Sequence, residues 1–228
     1  MQDKFILALD FANKKEALDF VTPLKDDLRW VKVGMELFYK EGTSIVYDLK
    51  DMGFKIFLDL KLHDIPNTVE KATQSLLTLP IDMLNFHVAG GSTMLRSVAA
   101  IKPKDILFIG VTQLTSTSED LMQHELGIQN SMRETVLNYS QIAVKAGLDG
   151  VVCSARDLVT IKEVLPNAIC VCPGIRRAQD ASDDQKRVMT PAEAIQAKAD
   201  FIVVGRSLTK AKNPKQTLLE IYEEMQNG

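Results

Sequence analysis

Apolar, β-prone runs alternate along the chain with segments whose apolar residues recur at helical spacing. The helical segments include residues 68–79 and 134–147. Regular alternation of strands and helices predicts a parallel sheet whose strands are joined by helical crossovers. Eight such units in 228 residues predict a closed (β/α)8 barrel, or TIM barrel, formed by a single α/β domain over residues 1–228. The eight predicted strands are 4–10, 30–34, 55–61, 83–89, 106–112, 149–154, 169–174 and 200–206.

A doubly wound open sheet is the alternative fold, and it is disfavoured because no Gly-x-Gly-x-x-Gly motif follows any predicted strand. Two longer polar segments interrupt the alternation. Residues 113–148 leave room for an extra short helix before their crossover helix. Residues 176–187 are polar and almost free of large apolar side chains, which predicts a mobile loop after the seventh strand.

The composition is that of an ordinary globular protein, with 46% apolar residues, 25% charged residues and a formal net charge of −3. This balance gives no electrostatic reason to expect nucleic acid as a partner. No apolar run is long enough to cross a membrane, and the amino-terminal run is predicted to be a strand rather than a signal peptide. Cys153, Cys170 and Cys172 form no Cys-x-x-Cys motif, which favours small buried side chains in a reducing cytoplasm.

The stretch DLKLHDIPNT, residues 59–68, places several charges at the end of the third predicted strand. Strand alternation puts Asp59 and Lys61 on one side and the neighbouring leucines on the other. In a (β/α)8 barrel the carboxyl ends of the strands build the site, so both charges are predicted to face the barrel mouth. Buried charges must be paired, and Lys32 and Asp64 are the candidate partners. A purely structural salt-bridge cluster is the alternative interpretation.

The other predicted strands also end in polar or small residues, which a barrel would gather at the same rim. Gly205 lets a ligand approach the backbone N–H groups at the end of the last strand, where a helix start favours an anion. The guanidinium of Arg206 suits phosphate. With Arg176 after the seventh strand, these residues predict a phosphate site. The remaining rim candidates are Asp10, Asn85, His87, Thr112, Thr115 and Ser154.

Other chemistries are less well supported by the sequence. His63 and His87 lack the His-x-x-x-His spacing of many zinc sites, so no metal is expected. Ser154 lacks the Gly-x-Ser-x-Gly elbow of a hydrolase nucleophile. A Schiff-base lysine stays open as an alternative, although a lysine between acids is held protonated, which is wrong for an amine nucleophile.

The stretch at 59–68 resembles the signature of the orotidine 5′-monophosphate decarboxylase family. Six further segments match the bacterial branch of that family in order, and together they span essentially the whole chain. They are LALD at 7–10, VKVG at 31–34, VTQLTS at 111–116, PGIR at 173–176, DQKRVMTP at 184–191 and VVGRS at 203–207.

The resemblance implies a cofactor-free lyase that converts orotidine 5′-monophosphate to UMP and carbon dioxide, the last step of de novo UMP synthesis. It implies that Lys61 is the proton donor and that Asp59 lies against the substrate carboxylate. It also implies a homodimer in which Asp64 and Ile65 reach the neighbouring subunit's site. The other implied contacts are Asp10, Lys32 and Thr68 with the ribose, Thr115 or Ser116 with the pyrimidine, and Arg176, Gln185, Gly205 and Arg206 with the phosphate.

Two other functions remain to be distinguished. A Mg²⁺-dependent sugar-phosphate lyase of the same suprafamily resembles this chain in its Asp-x-Lys-x-x-Asp strand. It is disfavoured because Lys32 at the mouth of the second strand would repel a divalent cation. A phosphate-binding barrel without enzymatic activity is the third possibility.

Overall fold

The computed structural model describes residues 1–177 and 189–228. Eight parallel strands close into a barrel in chain order, each pairing with the next and the last pairing with the first. All eight strand predictions are confirmed, with bounds that differ by at most two residues. The strands are β1 (Phe5–Ala8), β2 (Trp30–Gly34), β3 (Lys55–Leu62), β4 (Met83–His87), β5 (Leu107–Val111), β6 (Gly150–Val152), β7 (Ile169–Cys172) and β8 (Phe201–Val204).

Helices follow the strands and cover the outside of the barrel, which confirms the predicted (β/α)8 fold class. The extra short helix predicted within 113–148 is present as α6. In the described ranges the α-helices are α1 (Lys14–Val21), α2 (Met35–Glu41), α3 (Ser44–Asp51), α4 (Pro66–Leu76), α5 (Gly91–Ala99), α6 (Glu119–His124), α7 (Met132–Lys145), α8 (Leu158–Val164), α9 (Pro191–Gln196), α10 (Arg206–Thr209) and α11 (Pro214–Gln226). None of the helices in this described part of the chain is both long and apolar enough to span a membrane.

Two apolar layers hold the fold together. The outer layer packs the strands against the helices, and the inner one fills the barrel. The inner layer is built from inward-facing side chains, chiefly Ile6, Ala8, Trp30, Phe57, Met83, Ile109, Val171 and Val203. Because strand side chains alternate, residues two positions later face inward again, nearer the carboxyl ends. Those positions are Lys32, Asp59 and Asn85 on β2, β3 and β4, so the barrel interior turns polar at its mouth.

The opposite end of the barrel carries a repeated clamp that the sequence pattern does not predict. An aspartate directly precedes β4, β6 and β8. Its carboxylate accepts the N–H of the second residue of the preceding strand and pairs with a lysine. The three clamps are Asp82 with Ile56 N–H and Lys50, Asp149 with Phe108 N–H and Lys102, and Asp200 with Cys170 N–H and Lys162. Such pairing at the amino-terminal face serves stability and leaves the mouth free for chemistry.

The pairing of β3 with β4 is irregular at the mouth. Leu58 pairs with Leu84 but Leu62 pairs with Phe86, so β3 spans four residues where β4 spans two. Within this bulge Lys61 has a φ of +52°, in the left-handed region that side chains other than glycine rarely adopt. The third strand therefore changes direction at the residue predicted to carry the chemistry.

Candidate active site

A network of opposite charges with a buried centre lies at the mouth of the barrel. Lys61 Nζ lies 2.7 Å from Asp59 Oδ1, and Lys32 Nζ lies 3.2 Å from the other carboxylate oxygen of Asp59. Lys32 Nζ also reaches Asp10 Oδ1 at 3.3 Å. The side chains of Asp59 and Lys32 are only 11% and 12% exposed, so water screens their attraction weakly. The predicted pairing of Asp59 with Lys61 and Lys32 is thus present.

The network fixes the ionisation of its buried members. Burial by itself would raise the pKa of Asp59, but the charges of Lys32 and Lys61 outweigh it and lower that pKa. Burial would likewise lower the pKa of Lys32, and the charges of Asp59 and Asp10 overcome it, so the pKa of Lys32 is raised. Asp59 and Lys32 therefore hold each other in the charged form at neutral pH.

Asn85 completes the network from the neighbouring strand. Its side-chain NH₂ donates to Asp59 Oδ1 at 2.7 Å, and its side-chain carbonyl accepts the backbone N–H of Lys61 at 2.8 Å. The sequence indicates Asn85 as a rim residue without giving it a role. The available signal was its position two residues after the buried Met83, which places both side chains on the inward face of β4.

The charged network forms one wall of a cavity of about 230 Å³. Lys32, Asp59 and Lys61 form the charged side of this cavity, and apolar side chains of the strands form much of the rest of its lining. The loop after β5 reaches over it with Thr115 and Ser116, so both candidates for a pyrimidine contact line the same space. The apolar wall is built from Phe57, Val111, Val152, Val171 and Val203.

A second cavity of about 460 Å³ continues the first toward β7 and β8. The two cavities share Lys32, Pro173 and Val203 in their walls, which makes them one groove. The second cavity brings together Asp10 and the predicted phosphate residues Arg176, Gly205 and Arg206. Gln185 lies outside the described residues, as does the predicted loop over 176–187 apart from Arg176 and Arg177.

Asp64, Ile65 and Thr68 lie at a different place from the groove. Asp64 and Thr68 line a separate depression of about 350 Å³, and Ile65 follows Asp64 in the chain. Lys61 lines both this depression and the first cavity. Asp64 Oδ1 accepts the N–H of Ile65 at 2.6 Å, and within the described ranges no ion pair joins Asp64 to Lys61. The expected pairing of Asp64 with the charged strand is therefore wrong within a single chain. The cause is direction: the backbone carries Asp64 outward to the surface, where Ile65 is 66% exposed.

The remaining polar candidates of the rim contact one another or the nearby backbone. The rings of His63 and His87 contact each other at a tilt of 39°, with their centroids 5.5 Å apart. Burial, followed by the charges of His63 and Lys61, lowers the pKa of His87 against the opposing effect of Asp59. Among the described residues, no three His, Cys, Asp or Glu side chains are grouped to hold a metal ion. Ser154 is buried and accepts the N–H of Arg156 at the start of a helical turn.

The fold and the site together define a class of protein. It is a (β/α)8-barrel enzyme whose site, at the carboxyl ends of the strands, joins a buried ammonium–carboxylate network to a groove lined by arginines. The model of the Orotidine 5′-phosphate decarboxylase / HUMPS family matches residues 3–221. The chain belongs to this family, which confirms the resemblance found in its sequence.

Relatives and solved structures agree with this assignment. Orotidine 5′-phosphate decarboxylase of Streptococcus suis (strain 05ZYH33) is 52% identical over 225 residues, which cover 98% of this chain and 97% of the relative. The enzyme of Geobacillus sp. (strain WCH70) is 49% identical over 234 residues, covering 99% and 96%. The crystal structure of orotidine 5′-phosphate decarboxylase from Lactobacillus acidophilus is 36% identical, covers 98% of this chain and 99% of that one, and superposes with a TM-score of 0.86.

Proposed function

We propose that this chain decarboxylates orotidine 5′-monophosphate to UMP and carbon dioxide, the last step of de novo UMP synthesis, without a cofactor. One observation carries the proposal. Lys61 and Asp59 are paired at 2.7 Å in the wall of an apolar cavity that runs into a groove lined by Arg176 and Arg206. This arrangement supports a ligand with a planar ring at one end and a phosphate at the other.

The reacting end of the substrate lies, in this proposal, against Asp59 and Lys61. The bond between C6 and the carboxyl carbon breaks, its electron pair stays on C6, and carbon dioxide leaves. The ammonium of Lys61 stabilises this developing carbanion and then gives C6 a proton. The pyrimidine lacks the electron sink that a cofactor would provide. A fixed positive charge beside C6 is therefore proposed to stabilise the negative charge that develops there.

The pairing of Lys61 with Asp59 supports this role. Hydrogen bonding to a buried carboxylate orients the ammonium before substrate arrives, so little reorganisation is needed during the reaction. Lys32 holds the other oxygen of Asp59 and bridges it to Asp10, the proposed ribose contact. The pyrimidine ring occupies the apolar cavity beneath Thr115, with Ser116 as the alternative contact.

The phosphate is proposed to bind in the second cavity through Arg176, Gly205 and Arg206, with Gln185 from the loop over 176–187. That loop is proposed to close over the phosphate. Phosphate binding then supplies free energy that holds the reacting end in place, remote from the chemistry itself.

The working unit is proposed to be a cytoplasmic homodimer with shared sites. Asp64 and Ile65 are exposed, and Thr68 and Lys61 both line the separate depression. These positions support a contribution of Asp64, Ile65 and Thr68 to the partner subunit's site. The three free, buried cysteines are compatible with a reducing compartment.

A Mg²⁺-dependent sugar-phosphate lyase is less well supported. Lys32 Nζ occupies the space between Asp59 and Asp10, where a divalent cation would need the two carboxylates. The deciding experiment is a spectrophotometric assay of orotidine 5′-monophosphate decarboxylation on purified protein with chelator present. Retained activity supports the proposal, whereas activity lost in chelator and restored by Mg²⁺ contradicts it. Nucleotide binding without any absorbance change would indicate a non-enzymatic barrel.

A further inference from the structure

The backbone of Lys61 needs support that ordinary strand pairing does not provide. The register between β3 and β4 shifts between Leu58 and Leu62, and Lys61 lies inside the shift with a φ of +52°. A lysine has no intrinsic preference for this left-handed conformation, so the surrounding structure must enforce it. The residue that enforces it also controls where the Lys61 side chain points.

Asn85 is placed to enforce it. Its side-chain carbonyl accepts the N–H of Lys61 at 2.8 Å. This bond lies within the bulge, where four residues of β3 lie opposite two residues of β4. Asn85 is only 1% exposed, so water does not compete for this bond. The side-chain amide thus replaces a rung of the strand ladder at the bulge.

The same amide also fixes the carboxylate that orients Lys61. Asn85 Nδ2 donates to Asp59 Oδ1 at 2.7 Å, and that oxygen also accepts the bond from Lys61 Nζ. The orientation of the amide follows from its partners, because the N–H of Lys61 requires an acceptor and the ionised Asp59 requires a donor. One side chain therefore holds both the backbone of Lys61 and the counter-ion of its ammonium.

We propose that Asn85 is a positioning residue for Lys61, which locks the left-handed bulge of β3 and aims the ammonium at the reacting carbon. Asn85 acts through Lys61 and Asp59 and is given no contact with the substrate. The inference rests on the proposed function, since it deepens the role of the same site. Without Asn85 the β3 bulge is free to relax toward an extended strand, which moves Lys61 Nζ away from its place beside Asp59.

The test compares kcat and KM for orotidine 5′-monophosphate in the wild type, Asn85→Ala and Asn85→Asp. A misplacement of about 1 Å at a reacting group costs on the order of 10²-fold in rate, so Asn85→Ala is expected to lose about that much kcat. KM should change little, because the phosphate groove is untouched. Ser140→Ala is the matched control, since Ser140 is fully buried and its hydroxyl bonds Val136 O within α7, remote from the site.

The pH profile of Asn85→Asp separates positioning from general stability. The introduced carboxyl keeps the acceptor for Lys61 N–H, but when ionised it repels Asp59. When protonated, its O–H donates to Asp59 as the amide does. Its kcat deficit relative to the wild type should therefore shrink as the pH is lowered from about 8 to about 5.5. A merely structural role would move the melting temperature without producing this profile.

Each result decides a different point. A wild type that decarboxylates, with Asn85→Ala at wild-type kcat, overturns the positioning role and leaves the proposed function intact. If Asn85→Ala does not fold, a pH-independent deficit in Asn85→Asp overturns it instead. A wild type that never changes the absorbance of orotidine 5′-monophosphate overturns the proposed function and, with it, the role of Asn85 in that reaction.

Discussion

Lys61 Nζ lies 2.7 Å from Asp59 Oδ1 although the backbone of Lys61 has left the extended conformation of its strand. The pair sits in the wall of an apolar cavity, and Lys32 binds the second oxygen of the same carboxylate. Buried ion pairs are rarely the most stable way to fill a core. A largely buried ion pair held on a strained backbone is therefore better explained by chemistry than by stability.

Arg206→Ala should weaken catalysis through the phosphate alone. Hydrogen bonds to charged groups correspond to losses of about 10- to 100-fold, so kcat/KM for orotidine 5′-monophosphate should fall by about that factor. Turnover of the bare nucleoside should change far less. The exposed Arg133→Ala is the control for loss of a positive charge. Equal losses for the nucleotide and the nucleoside would refute a phosphate role for Arg206.

Mixing two inactive variants should restore activity if the sites are shared between subunits. In a homodimer with shared sites, Asp64→Asn and Lys61→Ala would each disable both sites of their own dimers. A hybrid dimer has one site with both substitutions and one site with neither. With free subunit exchange, the mixture should reach about a quarter of wild-type activity. Proven exchange of subunits without any recovery would count against the contribution of Asp64 to the partner's site.

The acid sensitivity of the fold should depend on His87. Burial, then His63 and Lys61, lowers the pKa of folded His87 below its ordinary 6.5, with Asp59 opposing. The unfolded chain thus takes up a proton before the folded one does, and stability falls as the pH drops below 6.5. Urea unfolding at about pH 7.5 and about pH 5.5 should show a larger loss for the wild type than for His87→Gln. Equal losses would contradict this assignment, and the exposed His124→Gln is the control.

Lys198 also has a left-handed backbone conformation, but unlike Lys61 it lies outside the proposed site. Replacing Lys198 with glycine should therefore stabilise the protein. Lys198 has a φ of +69° just after α9, where its N–H bonds Ile195 O and the N–H of Ala199 bonds Ala194 O. This Schellman arrangement favours glycine, so Lys198→Gly should raise the free energy of unfolding by about 0.5–1 kcal/mol. Chemical denaturation measures the change. Lys198→Ala should give no gain, and a gain of equal size there would point to the charge instead of the backbone.

The barrel was predictable because each strand is a short apolar run and each crossover carries apolar residues at helical spacing. The pattern does not predict α2. That helix, Met35–Glu41, buries only Leu37, and Tyr39 is 70% exposed, so it has no apolar stripe. The helix α11 was not predicted either, although its buried Leu218, Ile221, Tyr222 and Met225 recur at helical spacing, so the signal was present in the sequence.

The part of the site that follows from the alternation of side chains along a strand was predictable. Phe57 and Asp59 face the barrel interior as a regular strand requires, and Lys32 meets Asp59 from β2. Alternation cannot predict the bulge at Lys61, because there the backbone N–H of Lys61 donates to Asn85 Oδ1, an acceptor 24 residues away in the chain.

The most direct measurement is the decarboxylation of orotidine 5′-monophosphate by Lys61→Ala, followed by absorbance, with binding of UMP measured on the same preparation. The account predicts that turnover is abolished while UMP still binds, because Arg176, Gly205 and Arg206 lie in the second cavity, away from the substitution. A rate near that of the wild type would contradict the assignment of Lys61 as the group that stabilises and protonates the C6 carbanion.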